Sequence, residues 1–268
     1  DTDGEDNDNL AGVYANVASN IEVHHSLIHD NYDRTNADTG GNKTENSRNV
    51  VLFGGGTARL HHNVIFQTPQ ITAQKTGGCI TYKHSAADAG AVFEVAHNVF
   101  WNCYHPVIGS GTYGTRIHHN LILNSDPIEI RDFGGPTHNE DIIIEYNTII
   151  GTKALSYQPS DTWGPIGQMT FRNNVITDTH SYNFEDAMVT VLPYGSDALY
   201  STVVNGGKMS YSNNCYYNPS VAPVWAIFAR NGSGYGTLGA MYSPLTAWQA
   251  LGYDSGSSSV NPALDVYQ

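Results

Sequence analysis

One motif recurs seven times along the 268 residues and constrains the fold more than any other feature. Its copies read IEVHHSLI (21–28), ARLHHNVIF (58–66), FEVAHNVFW (93–101), TRIHHNLIL (115–123), IIIEYNTII (142–150), MTFRNNVIT (169–177) and MSYSNNCYY (209–217). One aligned column holds Ser26, Asn63, Asn98, Asn120, Asn147, Asn174 and Asn214, at spacings of 37, 35, 22, 27, 27 and 40. A shortest period in the twenties, lengthened elsewhere by insertions, is the pattern of a solenoid built from short strands. Apolar residues alternate before the Asn column (Ala58 and Leu60, Thr115 and Ile117) and resume two residues after it (Ile65, Phe100, Ile122). Alternation of that kind means strands. The asparagine between two strands marks a bend, because Asn tolerates left-handed backbone angles. Asparagines stacked on successive turns can also hydrogen-bond along the stack.

Seven of the twelve histidines fall in two adjacent columns beside that bend: His24, His61 and His118, then His25, His62, His97 and His119. Rungs stack about 4.8 Å apart, so these rings can pile into an outer ladder. Two stacked imidazoles could bind a transition metal. Ala96 and Tyr146 interrupt the columns, however, and no carboxylate set is evident nearby. We therefore read the paired histidines as architecture, not as a metal centre.

The motif and its asparagine column resemble the right-handed parallel β-helix of carbohydrate-active proteins, with its internal asparagine ladder. The tail LTAWQALGYDSGSSSVNPALDV (245–266) is similar to the closing segment of many such proteins: an aromatic-Gln pair, Gly-x-Asp, a Ser, then Asn-Pro. The resemblance covers nearly the whole chain. It implies an all-β solenoid over 1–244 with a closing segment, 245–268, packed on its end.

A β-helix offers chemistry on its outward strand faces. Four segments following the bends align as CITYKHS (79–85), HPVIGSG (105–111), PIEIRDF (127–133) and ALSYQPS (154–160). This alignment turns Ile80, Tyr82, Pro106, Ile108, Ile128, Ile130, Leu155 and Tyr157 inward. It places Lys83, Gly109, Arg131 and Gln158 in one outward column, with Thr81, Val107, Glu129 and Ser156 in a second and His84, Ser110, Asp132 and Pro159 in a third. Lys83 and Arg131 then flank a notch over Gly109, two rungs or roughly 10 Å across. Gln158, Glu129, Asp132 and Gly109 would contact substrate. The bland alternative is that both cations are solubilising surface residues paired with Glu129 or Asp132.

YKHS is similar to the Lys-centred site of β-helix lyases of the alginate lyase and chondroitinase B type. That resemblance implies Lys83 as the base, Arg131 as the acid or carboxylate clamp, and His84 beside them. Elimination from a uronic acid needs a base for the weakly acidic C5 proton and a cation for the charge that develops on the carboxylate. A neighbouring cation can lower a lysine's pKa enough to make it that base.

Two other readings stay open. A β-helix hydrolase would need two carboxylates about 5–10 Å apart, for which Glu129 and Asp132 are candidates. A non-catalytic glycan-binding or structural surface module would need neither. The opening DTDGEDNDN places oxygen ligands at alternate positions, and Asp1, Asp3 and Glu5 are candidate Ca²⁺ ligands. The chain also begins one strand before its first rung, so we expect a preceding segment or a capping partner chain.

Composition bounds the partners. A net charge of -13, from 25 acidic and 12 basic residues, argues against nucleic acid and anionic membranes. The 27 glycines suit a turn-rich β protein, and no apolar run approaches a membrane span of about 20 residues. Cys79, Cys103 and Cys215 do not follow zinc-ligand spacing, and at most one pair can bridge. The expectation is an extracellular protein acting on an acidic polysaccharide.

Overall fold

In the computed structural model, residues 11–16, 20–31, 48–54, 56–68, 78–83, 92–112, 114–131, 141–151, 153–160, 167–177, 187–191, 207–220, 222–227 and 240–263 are described. The chain winds through seven successive coils of three strands each, giving three sheets that run the length of the solenoid. The first sheet contains β1 (Ala11–Asn16), β4 (Arg48–Phe53), β7 (Gly78–Lys83), β10 (Val107–Ser110), β13 (Ile128–Arg131), β16 (Leu155–Gln158) and β19 (Val189–Val191). It continues into β22 (Trp225–Ile227) and β23 (Ala240–Tyr242).

The second sheet holds β2 (Ile21–His24), β5 (Ala58–His61), β8 (Phe93–Ala96), β11 (Thr115–His118), β14 (Ile142–Glu145), β17 (Met169–Arg172) and β20 (Met209–Ser212). The third holds β3 (Leu27–His29), β6 (Val64–Phe66), β9 (Val99–Trp101), β12 (Leu121–Leu123), β15 (Thr148–Ile150), β18 (Val175–Thr177) and β21 (Cys215–Tyr217). Every pairing is parallel except β22 with β23. This is a right-handed parallel β-helix, the hand expected of parallel strands joined by crossovers. No helix among the described residues is long and apolar enough to cross a membrane.

Alternation fills the interior. Leu60, Val95, Ile117, Ile144, Phe171 and Tyr211 stack inside the second sheet, and Ile65, Phe100, Ile122, Ile149, Ile176 and Tyr216 inside the third. Between them runs a line of asparagines. Each side-chain amide from Asn63 to Asn174 donates to the Oδ1 of the next: Asn63 to Asn98 at 3.0 Å, Asn98 to Asn120 at 3.1 Å, Asn120 to Asn147 at 3.0 Å, Asn147 to Asn174 at 3.0 Å and Asn174 to Asn214 at 3.1 Å. The second amide hydrogen reaches back to a carbonyl of the preceding coil, as from Asn120 to Val95 O at 2.9 Å. Every Oδ1 in the line also accepts a backbone N–H from the coil before it.

The asparagine's role differs from the one its backbone preference suggests. The left-handed residue of each bend is the one before the asparagine, or before Ser26 in the first coil: His25, His62, His97, His119, Tyr146, Asn173 and Asn213, with φ between 50° and 56°. The asparagine is kept for its amide, which satisfies buried backbone groups that a bend leaves unpaired.

The closing segment adds an eighth bend. Ser255 and Ser258 bridge to Ser212 and Cys215. Ser257 takes the ladder place, its hydroxyl accepting Asn214 N at 2.7 Å. Gly256 occupies the left-handed position at φ 75°, where a Cβ would run into Asn213 Oδ1. Helix α1 (Leu245–Gln249) lays Trp248 against Tyr211, Trp225 and Tyr253, covering the last apolar rung as a solenoid end requires. Asp254, fully buried, accepts four hydrogen bonds from Asn214, Ser257, Tyr216 and Trp248.

Candidate functional site

The outward face of the first sheet is unlike those of its neighbours. On the third sheet outward side chains such as Leu27 and Trp101 are exposed, 65% and 42%. On the first sheet Val51, Thr81, Ile108, Ser110, Glu129, Ser156, Gln158 and Thr190 face outward yet are all buried. Polar groups withdrawn from water in this way must be paired or placed for use.

Pairing fixes the columns. Phe53, Lys83, Ser110, Arg131 and Gln158 lie in register, and beside them run Val51, Thr81, Ile108, Glu129, Ser156 and Thr190. Lys83 and Arg131 therefore share a column two rungs apart, as the sequence pattern predicts. Between them, however, sits Ser110. Gly109 belongs to the inward column with Tyr82, Ile130 and Tyr157. A Cβ on Gly109 would come within 3.1 Å of Ile130 Cδ1, so its bareness serves core packing, not a substrate notch. The same one-residue slip turns Val107 inward and Ile108 outward, the reverse of the expectation.

Glu129 is one of the most engaged groups on this face. Arg131 Nη1 lies 2.9 Å from Glu129 Oε1, close enough for an ion pair though outside hydrogen-bond geometry. His105 Nε2 approaches Glu129 Oε2 at 3.5 Å, while His105 Nδ1 donates to Pro127 O at 3.1 Å. Gln158, expected to meet substrate, donates to Ser156 Oγ at 3.1 Å. Arg48, which the four-segment alignment does not include, is nearly buried and donates from Nε to Thr81 Oγ1 at 3.0 Å. Gly78 gives it room: a Cβ there would stand 2.8 Å from Arg48 Cδ. Aligning RNVVLF (48–53) one coil earlier would have shown Arg48 joining the cations of this face.

Burial first, then the charges of Arg131 and Arg48, bring the Lys83 ammonium down to about 8. Its Nζ stands 5.7 Å from the centre of the Phe53 ring. A lysine so placed is partly neutral near neutral pH and can accept a proton. Among the described residues, the charged neighbours acting on Lys83 are both cations, and the nearby Glu129 faces Arg131 and His105. His84 and Asp132 lie outside the described residues, as do the candidate calcium ligands Asp1, Asp3 and Glu5. Cys79 and Cys103 form a disulfide that joins the start and end of one coil.

The histidine columns stack. His24 lies on His61 at 5.3 Å, and His25, His62, His97, His119 and Tyr146 follow one another at 5.0–5.2 Å. Carboxylates are present after all: Glu22 Oε1 meets His61 Nε2 at 2.7 Å, and Glu94 Oε1 meets His118 Nε2 at 3.1 Å. Both lie two residues before the paired-histidine column, a spacing the motif alignment already contains.

Compared with known proteins, the chain matches no family model, no curated protein and no solved structure.

Proposed function

We propose that this protein is a polysaccharide lyase that cleaves an acidic, uronic-acid-containing glycan by β-elimination. The observation that carries the reading is Lys83: a half-buried lysine, lowered to about 8, on a strand face where its charged neighbours are Arg131 and Arg48. Neutral Lys83 takes the C5 proton of the uronate. The C4–O bond breaks, a C4–C5 double bond forms, and the departing oxygen takes up a proton. Arg131, across Ser110, faces the substrate carboxylate and stabilises the charge that builds there as the proton leaves. A cationic patch in a chain of net charge -13 favours approach of an anionic chain at this face. The Cys79–Cys103 bridge supports an oxidising, extracellular setting.

The test is exposure of the protein to a panel of alginate, pectate and glycosaminoglycans, following the ultraviolet absorbance of unsaturated uronate ends. A lyase gives that signal with wild-type protein and loses it with Lys83→Ala. Reducing ends without unsaturation would point to a hydrolase instead. Binding without either product would leave a glycan-binding surface module.

A further inference from the structure

The histidine columns are regular in three of the first four coils and broken in one. In coils one, two and four the two rings face each other Nδ1 to Nδ1 at 2.9 Å: His24 with His25, His61 with His62, His118 with His119. The rings are close to perpendicular, with centroids 5.1–5.2 Å apart. A ring nitrogen lies about 1.1 Å from its centroid, so the two nitrogens sit almost on the line joining the rings, the arrangement of a straight N–H···N hydrogen bond. One nitrogen of each pair must carry the proton. Where Glu22 and Glu94 accept from Nε2 of His61 and His118, Nδ1 of those rings is the bare acceptor.

Coil three departs. Ala96 stands where the first imidazole should be, paired in the sheet between His61 and His118. His97 keeps its stacking on His62 and His119, at 5.0 Å each, but has a methyl group where the other coils supply a ring nitrogen. The missing ring leaves His97 with no imidazole beside it in its own coil, next to the His118–His119 pair of the following coil, and Ala96 itself is buried. Ligand nitrogens of His97, His118 and His119 already lie within 4.8 Å of one another.

We propose that His97, His118 and His119 bind one divalent late first-row transition ion, zinc or copper, between the third and fourth coils. Three imidazoles suit such ions. Metal–nitrogen bonds of about 2.0–2.1 Å need the three nitrogens about 3.4 Å apart, so the His118–His119 pair opens from 2.9 Å while His97 draws in, a matter of side-chain rotation for rings at the surface. Glu94 fixes His118 with Nδ1 bare, and a carboxylate behind a ligating histidine raises its basicity and holds its orientation. On binding, the His119 proton moves from Nδ1 to Nε2 and the metal takes its place, so all three rings stay neutral. The other paired coils keep their hydrogen-bonded pairs as ladder.

Isothermal titration of the chelator-treated full chain with Zn²⁺ near neutral pH, repeated with Cu²⁺, tests this. His97 and His62 both sit at φ 56°, where asparagine is tolerated, so Asn variants keep the bend. Wild type binds one ion per chain. His97→Asn weakens it at least about tenfold, whereas His62→Asn stays within about twofold. Ala96→His is the sharpest variant: it adds an imidazole, yet gives His97 a hydrogen-bond partner as in the other coils, so the expected result is weaker binding. Tighter binding by Ala96→His, equal losses in His97→Asn and His62→Asn, several equivalent ions per chain, or no saturable binding would each overturn the proposal.

Discussion

Asn120→Ala is the perturbation whose cost is most directly worked from the structure. The Asn120 Oδ1 accepts the backbone N–H of Asn98 at 2.9 Å and its side-chain amide at 3.1 Å. Its own amide donates to Val95 O at 2.9 Å and to Asn147 Oδ1 at 3.0 Å. Alanine strands two buried donors on Asn98: the backbone N–H and one amide hydrogen, the other still reaching Leu60 O. Asn147 Oδ1 keeps the Asn120 backbone N–H, so the acceptor side suffers less. At about 1–3 kcal/mol for each stranded donor the sum is about 2–6 kcal/mol. A water entering the polar gap recovers part of this, leaving about 2–4 kcal/mol. Asn63→Ala strands the backbone N–H of Ser26, a half-exposed residue in the first coil, and should cost about 1 kcal/mol. Asn120→Asp keeps one acceptor oxygen but turns the other on Val95 O and Asn147 Oδ1, so it should be at least as damaging as alanine at neutral pH. Urea unfolding followed by tryptophan fluorescence reads all three. Equal urea midpoints for wild type and Asn120→Ala, or a larger loss at Asn63 than at Asn120, would refute the argument that the amide line carries this stability.

Further expectations follow from three particular groups. With Lys83 as base, kcat/KM should rise with pH along a limb near 8, and Arg131→Gln should move the limb upward by removing a repelling charge. Because the folded state releases the Lys83 proton more readily than the unfolded chain, stability should increase between about pH 8 and 10.4, an increase absent from Lys83→Met. Reducing the Cys79–Cys103 bridge, which closes a loop of sequence separation 24, should cost about 3 kcal/mol, read as a lower urea midpoint. Burial pushes the Asp254 carboxyl up while its four donors pull it back. Asp254→Asn should still destabilise by about 1–3 kcal/mol, since an amide cannot accept from both oxygen positions; a thermal midpoint at or above wild type would contradict this.

The coil count, the three strand faces and the asparagine column were legible because each rests on side-chain period and one repeated polar residue. The capping segment was legible as a motif, but not as an eighth bend, because Ser257 replaces the asparagine and Gly256 the left-handed histidine. The carboxylates behind His61 and His118 are two residues upstream in the same copies and were within reach. Arg48 was missed because its segment precedes the first lysine-bearing one and was not aligned with it.

The register of β10 was not legible, and the reason bears on the chemistry. In HPVIGSG (105–111), Val107, Ile108 and Gly109 form an apolar run, so period-two reasoning has no polar residue to anchor which face is which. Aligning on Gly109 gave a bare position in the Lys83 column. Pairing of Ser110 with both Lys83 and Arg131 puts a hydroxyl there and sends the glycine into the core. On the lyase reading, the group between the two cations is then a hydroxyl, a donor and acceptor for a hydroxyl-bearing sugar, where the alignment had placed a bare gap. This gives the lyase reading a graded test. Ser110→Ala removes only that hydroxyl, so it should raise KM for the glycan with a smaller change in kcat, whereas Lys83→Ala removes turnover itself. If Ser110→Ala lowered kcat as deeply as Lys83→Ala with KM unchanged, the hydroxyl would be taking part in the chemical step, and the division of roles between the two residues would be wrong.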